Sequence, residues 1–143
     1  MTLAKFVATL AGVGLLRPAP GTWGSAVVLP AVLLGPAWCL GLALLLGLAG
    51  LWAVGRLPER KADPGWVVVD EGAGQLLALA ALPLGAGWPW VLAAFLLFRL
   101  FDITKPGPVG WADRQKGAVG VMLDDVLAGA LAAGVLGVAR ALV

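Results

Sequence analysis

The chain has 143 residues, about the length of one domain, but 61% of them are apolar and only 13% charged, with a mean hydropathy of +0.97. A water-soluble domain carries about 25% charged residues, so this composition excludes an ordinary soluble enzyme and a disordered chain. A net charge of +2 is too small for a phosphate-tracking nucleic-acid surface. With no His and one Cys, a catalytic triad, a phosphohistidine intermediate, His-ligated metals, Cys-based zinc clusters and a disulfide scaffold are excluded as well. The expected fold class is all-α: an integral membrane helical bundle built from short helical hairpins plus a C-terminal membrane helix, as a single membrane-embedded domain over residues 1–143.

In chain order, Lys5 precedes an apolar stretch from Phe6 to Leu16. No small-x-small cleavage site comes before Arg17, so the stretch reads as a short membrane or interfacial helix rather than a signal peptide. Arg17-Pro18-Ala19-Pro20-Gly21-Thr22-Trp23-Gly24-Ser25 then leads into an apolar helix. Glycines, a hydroxyl and free N–H groups at a helix start suit a phosphate, while a plain cap at Thr22 or Ser25 is the simpler alternative. No Gly-Lys-Ser/Thr follows, so it is not a Walker loop.

Pro18 to Gly55 contains no charge and is long enough for nearly two spans of about 20 residues. Gly35-Pro36 near its middle predicts a break and hence a hairpin. Arg56, Glu59, Arg60, Lys61 and Asp63 form a solvated loop, and Asp63-Pro64 signals a helix start. A helix from there to Leu82 would be roughly 30 Å long. Gly72 to Phe98 is again uncharged and broken by Pro83 and Pro89. Cys39 is a small hydrophobe in the first run. Hairpins place Arg56, Arg60 and Lys61 on the same side as Arg99, Lys105, Arg114 and Lys116, as the positive-inside rule demands. The last apolar run follows Asp124-Asp125, and its Ala130, Gly134, Gly137 and Ala141 share a face on which another helix could pack closely.

Acids at a membrane edge are costly and need a reason. Six of the eight acids fall in three groups: Asp70-Glu71, Asp102 with Asp113, and Asp124-Asp125. Hairpins bring all three to one side. Together they would form a hard, oxygen-rich site, for which Mg2+ is the natural ion. Each group also has a structural explanation: a helix dipole for Asp124-Asp125, a solvated loop end for Asp70-Glu71, and pairing of Arg99 with Asp102 to ease burial. Arg99, Lys105, Arg114 and Lys116 interleave with the acids and fit an anionic ligand.

Gly21-Thr22-Trp23-Gly24-Ser25 with Leu29-Pro30, and Asp70-Glu71 with Gly74-Gln75, resemble two blocks of the phosphatidylglycerophosphatase A family. Phe98-Arg99-Leu100-Phe101-Asp102-Ile103-Thr104-Lys105-Pro106-Gly107-Pro108 resembles its FR-x-FD-x-x-KP-x-P block. Asp113-Arg114, Gly117, Gly120-Val121-Met122, Asp124-Asp125 and Ala128-Gly129 continue in the same order. Two departures, Ala118 where Gly is frequent and Ala73 where a bulkier residue is common, touch no charged position.

The resemblance implies a Mg2+-dependent multi-pass lipid phosphatase of the bacterial inner (cytoplasmic) membrane. Its substrate would be phosphatidylglycerophosphate and its products phosphatidylglycerol and inorganic phosphate. Asp70, Glu71, Asp102 and Asp124 would hold one or two ions. Asp125 would orient or deprotonate a water, with Asp113 the second catalytic acid. Arg99, Lys105 and Arg114 would clamp the phosphate, and Thr22 with its turn would add donors. The alternatives are a CDP-alcohol phosphotransferase-like enzyme, whose Asp-Gly-x-x-Ala-Arg opening is absent, and a non-catalytic membrane scaffold.

Overall fold

The computed structural model describes residues 1–58 and 64–143. Every regular element among them is helical. The order is α1 (Leu3–Ala8), a 3-10 turn (Val13–Leu15), α2 (Pro20–Val27) running on into a 3-10 stretch (Leu29–Leu34), α3 (Pro36–Gly55), α4 (Val69–Leu79), α5 (Trp88–Thr104), α6 (Pro108–Asp113) and α7 (Gly117–Leu142). The all-α expectation is met.

Proline and glycine set most of the boundaries. Pro occupies the first or second position of α2, α3, α5 and α6, where its missing N–H leaves no helical bond unmade. Gly35, at φ +93°, separates the 3-10 stretch from α3. The turn between α4 and α5 passes through Gly85 at φ +82°. Both expected helix breaks are therefore present. Lys105 ends α5 in the left-handed region at φ +51°, and Pro106 prevents resumption.

α3 and α7 are long and apolar enough to cross a membrane. At 1.5 Å per residue, α3 covers about 30 Å. Its Trp38, Leu44, Leu45 and Leu48 are exposed, a surface that suits lipid and not water. α4 differs from expectation. It has 11 residues, about 16 Å, and cannot span alone. The Val68 N–H bonds to the Ala8 carbonyl at 2.9 Å, and the Trp66 carbonyl lies against Gly14. These long-range contacts hold residues 66–68 out of the helix. The start expected at Asp63 lies outside the described residues, as do Glu59, Arg60 and Lys61.

The α4–α7 crossing organises the bundle. A Cβ on Gly74 would lie 2.4 Å from the Asp125 carbonyl oxygen, and one on Gly129 would lie 2.2 Å from the Gly74 carbonyl oxygen. Only two glycines permit backbones this close, a packing mode typical of membrane helices. Phe98 from α5 fills the space beside them and is fully buried. The small-residue face of α7 behaves otherwise: positions Gly134 and Gly137 meet nothing within 4 Å, so among the described residues no helix packs there.

Candidate active site

Four helices deliver the charged side chains. Asp70 and Glu71 lie in the first turn of α4, and Arg99 and Asp102 in the last turns of α5, with Lys105 at its C-cap. Asp113 ends α6. Asp124 and Asp125 lie well inside α7, which begins at Gly117. That placement corrects the reading in which this pair opens the helix, because a macrodipole acts only within the first turn. The helix-dipole explanation for the pair falls with it.

The α4–α7 crossing then draws the acids together. Asp70, Asp124 and Asp125 each offer a carboxylate oxygen within 4.8 Å of the others, and so do Glu71, Asp102 and Asp125. Asp125 belongs to both groups. Asp70, Asp124 and Asp125 are 5%, 4% and 2% exposed, so the solvated-loop explanation for Asp70 does not hold. Arg99 forms a salt bridge with Asp102. Lys105 Nζ lies 2.9 Å from Asp124 Oδ2, 3.4 Å from Asp113 Oδ1 and 3.8 Å from Asp102 Oδ1.

For Lys105, burial lowers the ammonium, but the hydrogen bond to Asp124 and the charges of Asp124, Asp102 and Asp113 outweigh it, so its pKa is raised. Lys105 is therefore a fixed cation.

Of the expected site residues, Asp70, Glu71, Asp102, Asp124, Asp125, Arg99 and Lys105 converge, with Asp113 joined to them through Lys105. The α2 turn approaches as well, since a Cβ on Gly21 would lie 2.6 Å from Glu71 Oε1 and 3.2 Å from Arg99 Nη1. Thr22 sits in this turn, half-buried. Its N–H and that of Trp23 bond to the Ala19 carbonyl, at 3.0 and 3.3 Å, so they are not the free donors expected of a phosphate seat. Ser25 donates to the Gly21 carbonyl at 3.0 Å and is no N-cap. Arg114 is exposed at the end of α6 and makes no ion pair among the described residues.

Sequence reasoning placed Gln75 in a family block but gave it no role in the site. It is completely buried, and neither amide atom has a hydrogen-bond partner among the described residues. It lies one turn from Glu71 on the same face of α4. The available signal was a polar amide inside a run that otherwise carries no charge. Glu71 Oε2 and Asp125 Oδ1 are likewise buried and without a hydrogen bond. Unmet buried oxygens of this kind are destabilising by about 1–3 kcal/mol each in the absence of a partner, and carboxylate oxygen is the donor that hard divalent cations prefer. The residues present fit such an ion.

A profile of the family described as Phosphatidylglycerophosphatase A matches residues 6–140. Over 125 residues the chain is 42% identical to a phosphatidylglycerophosphatase A of Haemophilus influenzae, covering 82% of this chain and 76% of the relative. It is 37% identical over 132 residues to the phosphatidylglycerophosphatase A of Escherichia coli K12, covering 87% and 76%. A third relative, a Bacteroides thetaiotaomicron protein provisionally named a phosphatidylinositol-3-phosphatase, is 48% identical over 101 residues, 69% of this chain and 64% of that one. No solved structure matches the chain significantly.

Proposed function

The chain belongs to the phosphatidylglycerophosphatase A family of phosphatases, and from that premise we propose that it hydrolyses phosphatidylglycerophosphate to phosphatidylglycerol and inorganic phosphate with Mg2+ as cofactor. The observation that carries this reading is the pair of carboxylate groups sharing Asp125, flanked by Arg99 and Lys105. Family membership favours the hydrolase over the transferase and scaffold alternatives.

Asp70, Glu71, Asp102, Asp124 and Asp125 would hold the metal. When bound, Mg2+ supplies charge neutralisation at the phosphate oxygens and raises the acidity of water at the site. Arg99 and Lys105 present fixed positive charge where negative charge builds on the phosphoryl oxygens. Arg114, exposed next to Asp113, is free to swing onto an incoming phosphate. Asp113 is 40% exposed at its side chain and 3.4 Å from Lys105. It is the acid of the group most open to solvent and would act as the second catalytic acid, beside Asp125, which would orient or deprotonate the attacking water. The Thr22 turn closes the site beside Glu71. With α3 and α7 crossing the bacterial inner membrane and the α4–α5 hairpin completing a multi-pass bundle, the acids meet the headgroup at the cytoplasmic face. The acyl chains stay in the bilayer.

The test is phosphate release from phosphatidylglycerophosphate in mixed micelles, with Mg2+ and with EDTA. Phosphatidic acid and phosphatidylinositol 3-phosphate run alongside, the latter because of the third relative's name. Release that requires Mg2+ and favours phosphatidylglycerophosphate is the expected result. Folded protein that releases phosphate from none of the three, or equally well in EDTA, would overturn the reading.

A further inference from the structure

We infer that this site is built for two divalent cations rather than one, with Asp125 the ligand common to both positions; the inference rests on the metal-dependent reading above and deepens it. The two carboxylate groups differ in every member except Asp125. One joins α4 and α7 through Asp70, Asp124 and Asp125, and the other joins α4, α5 and α7 through Glu71, Asp102 and Asp125. Neighbours on one helix, Asp70 and Glu71, thus serve different groups, because successive residues on a helix point about 100° apart.

Charge leads to the same count. Five largely buried carboxylates and the more open Asp113 face two cations, Arg99 and Lys105, an excess of four negative charges when all are ionised. One divalent ion leaves the site anionic and repellent to phosphate. Two neutralise it, which removes the repulsion of a phosphate dianion. The unmet buried atoms gather at the Glu71 group and at the shared Asp125, while Asp124 accepts from Lys105 Nζ and from the Asp125 N–H. Glu71 Oε2 and Asp125 Oδ1 have no hydrogen bond. Gln75, one turn along α4 from Glu71, adds a buried amide with neither atom satisfied. A neutral amide oxygen completes an oxygen shell without adding to the charge, so we place Gln75 with the Glu71 position.

The probe is Mn2+ titrated into the full chain in detergent micelles, read by calorimetry and by electron paramagnetic resonance. Wild type is expected to bind two Mn2+ per chain and give an exchange-coupled spectrum. Asp125→Asn should lose the coupling and weaken both positions beyond the roughly 10–100-fold that loss of an outer-shell partner costs. Asp70→Asn should bind one Mn2+ with the spectrum of an isolated ion. Circular dichroism and thermal unfolding confirm that each variant is folded, and the Asp70 variant decides the matter if the Asp125 variant is not. One Mn2+ per wild-type chain, two uncoupled ions, or full coupling retained in Asp125→Asn would overturn the inference. A single ion with Mg2+-dependent phosphate release would leave the proposed function standing, whereas no binding together with release in EDTA would remove both.

Discussion

α3 and α4 are neighbours in the bundle and opposites in design. α3 is 20 residues without a charge, with tryptophan and leucine side chains exposed along its outer face. α4 is 11 residues carrying Asp70, Glu71 and Gln75, with nine of them buried. A soluble domain would reverse this, placing the leucines of α3 inside and the acids of α4 outside. Here the apolar helix is the boundary and the polar helix is the core. The buried acids and the buried amide sit within an otherwise apolar interior.

The contrast breaks most sharply at Asp102. Asp102→Asn keeps the size of the side chain but removes a charge from one carboxylate group, and phosphate release should fall by more than about a thousandfold, exceeding the loss of a single transition-state donor. Near-normal turnover by the folded variant would remove Asp102 from the machinery. Lys105→Met comes next, with an expected loss of about 100–1,000-fold in turnover. An unchanged rate would show that its three acid contacts serve only burial.

Gly129→Ala touches no charged group. The added methyl would meet the Gly74 backbone and force α4 and α7 apart. A displacement near 1 Å costs about a hundredfold in rate, and overpacking costs about 1–3 kcal/mol in stability. If thermal unfolding and turnover are both unaffected, the crossing is looser than these contacts require. On α3, Leu48→Ala should leave turnover within about twofold, since substitutions outside packed features shift stability by only about 0.5 kcal/mol. A large loss there would mean that α3 is more than boundary.

The smallest expected effect concerns pH. The raised pKa of Lys105 moves its deprotonation above the ordinary value of about 10.4. It therefore stays charged from pH 8 to about 10, as arginine would. The alkaline limbs of wild type and Lys105→Arg should coincide over that range, whatever their absolute rates. A limb that moves with the substitution would show Lys105 titrating there.

Much of this layout could be read from the sequence, and what escaped has a common cause. Gly35-Pro36 and Pro83 to Gly87 mark hairpin turns because they act locally, through φ and the missing N–H. The three acid groups were legible because charge is conspicuous in an apolar chain. The length of α4 was not, since residues 66–68 are held by Ala8 and Gly14, more than 50 positions away. Gly117 as the start of α7 carries no side-chain cap, so nothing local announced that Asp124 and Asp125 lie inside the helix. The shared role of Asp125 and the unmet amide of Gln75 exist only once α4, α5 and α7 have packed.

The α4–α7 crossing also says where this protein can be made hardier. Helical glycine is a standing weakness of about 1 kcal/mol relative to alanine, and a survey for stabilising replacements would begin with all of them. Gly41, Gly47, Gly134 and Gly137 lie in helices where an added methyl would have nothing within 4 Å, so alanine there strengthens the helix without a clash. At Gly74 and Gly129 the same exchange would dismantle the site. On α7 alone, Gly129 and Gly134 thus carry opposite instructions for an engineer.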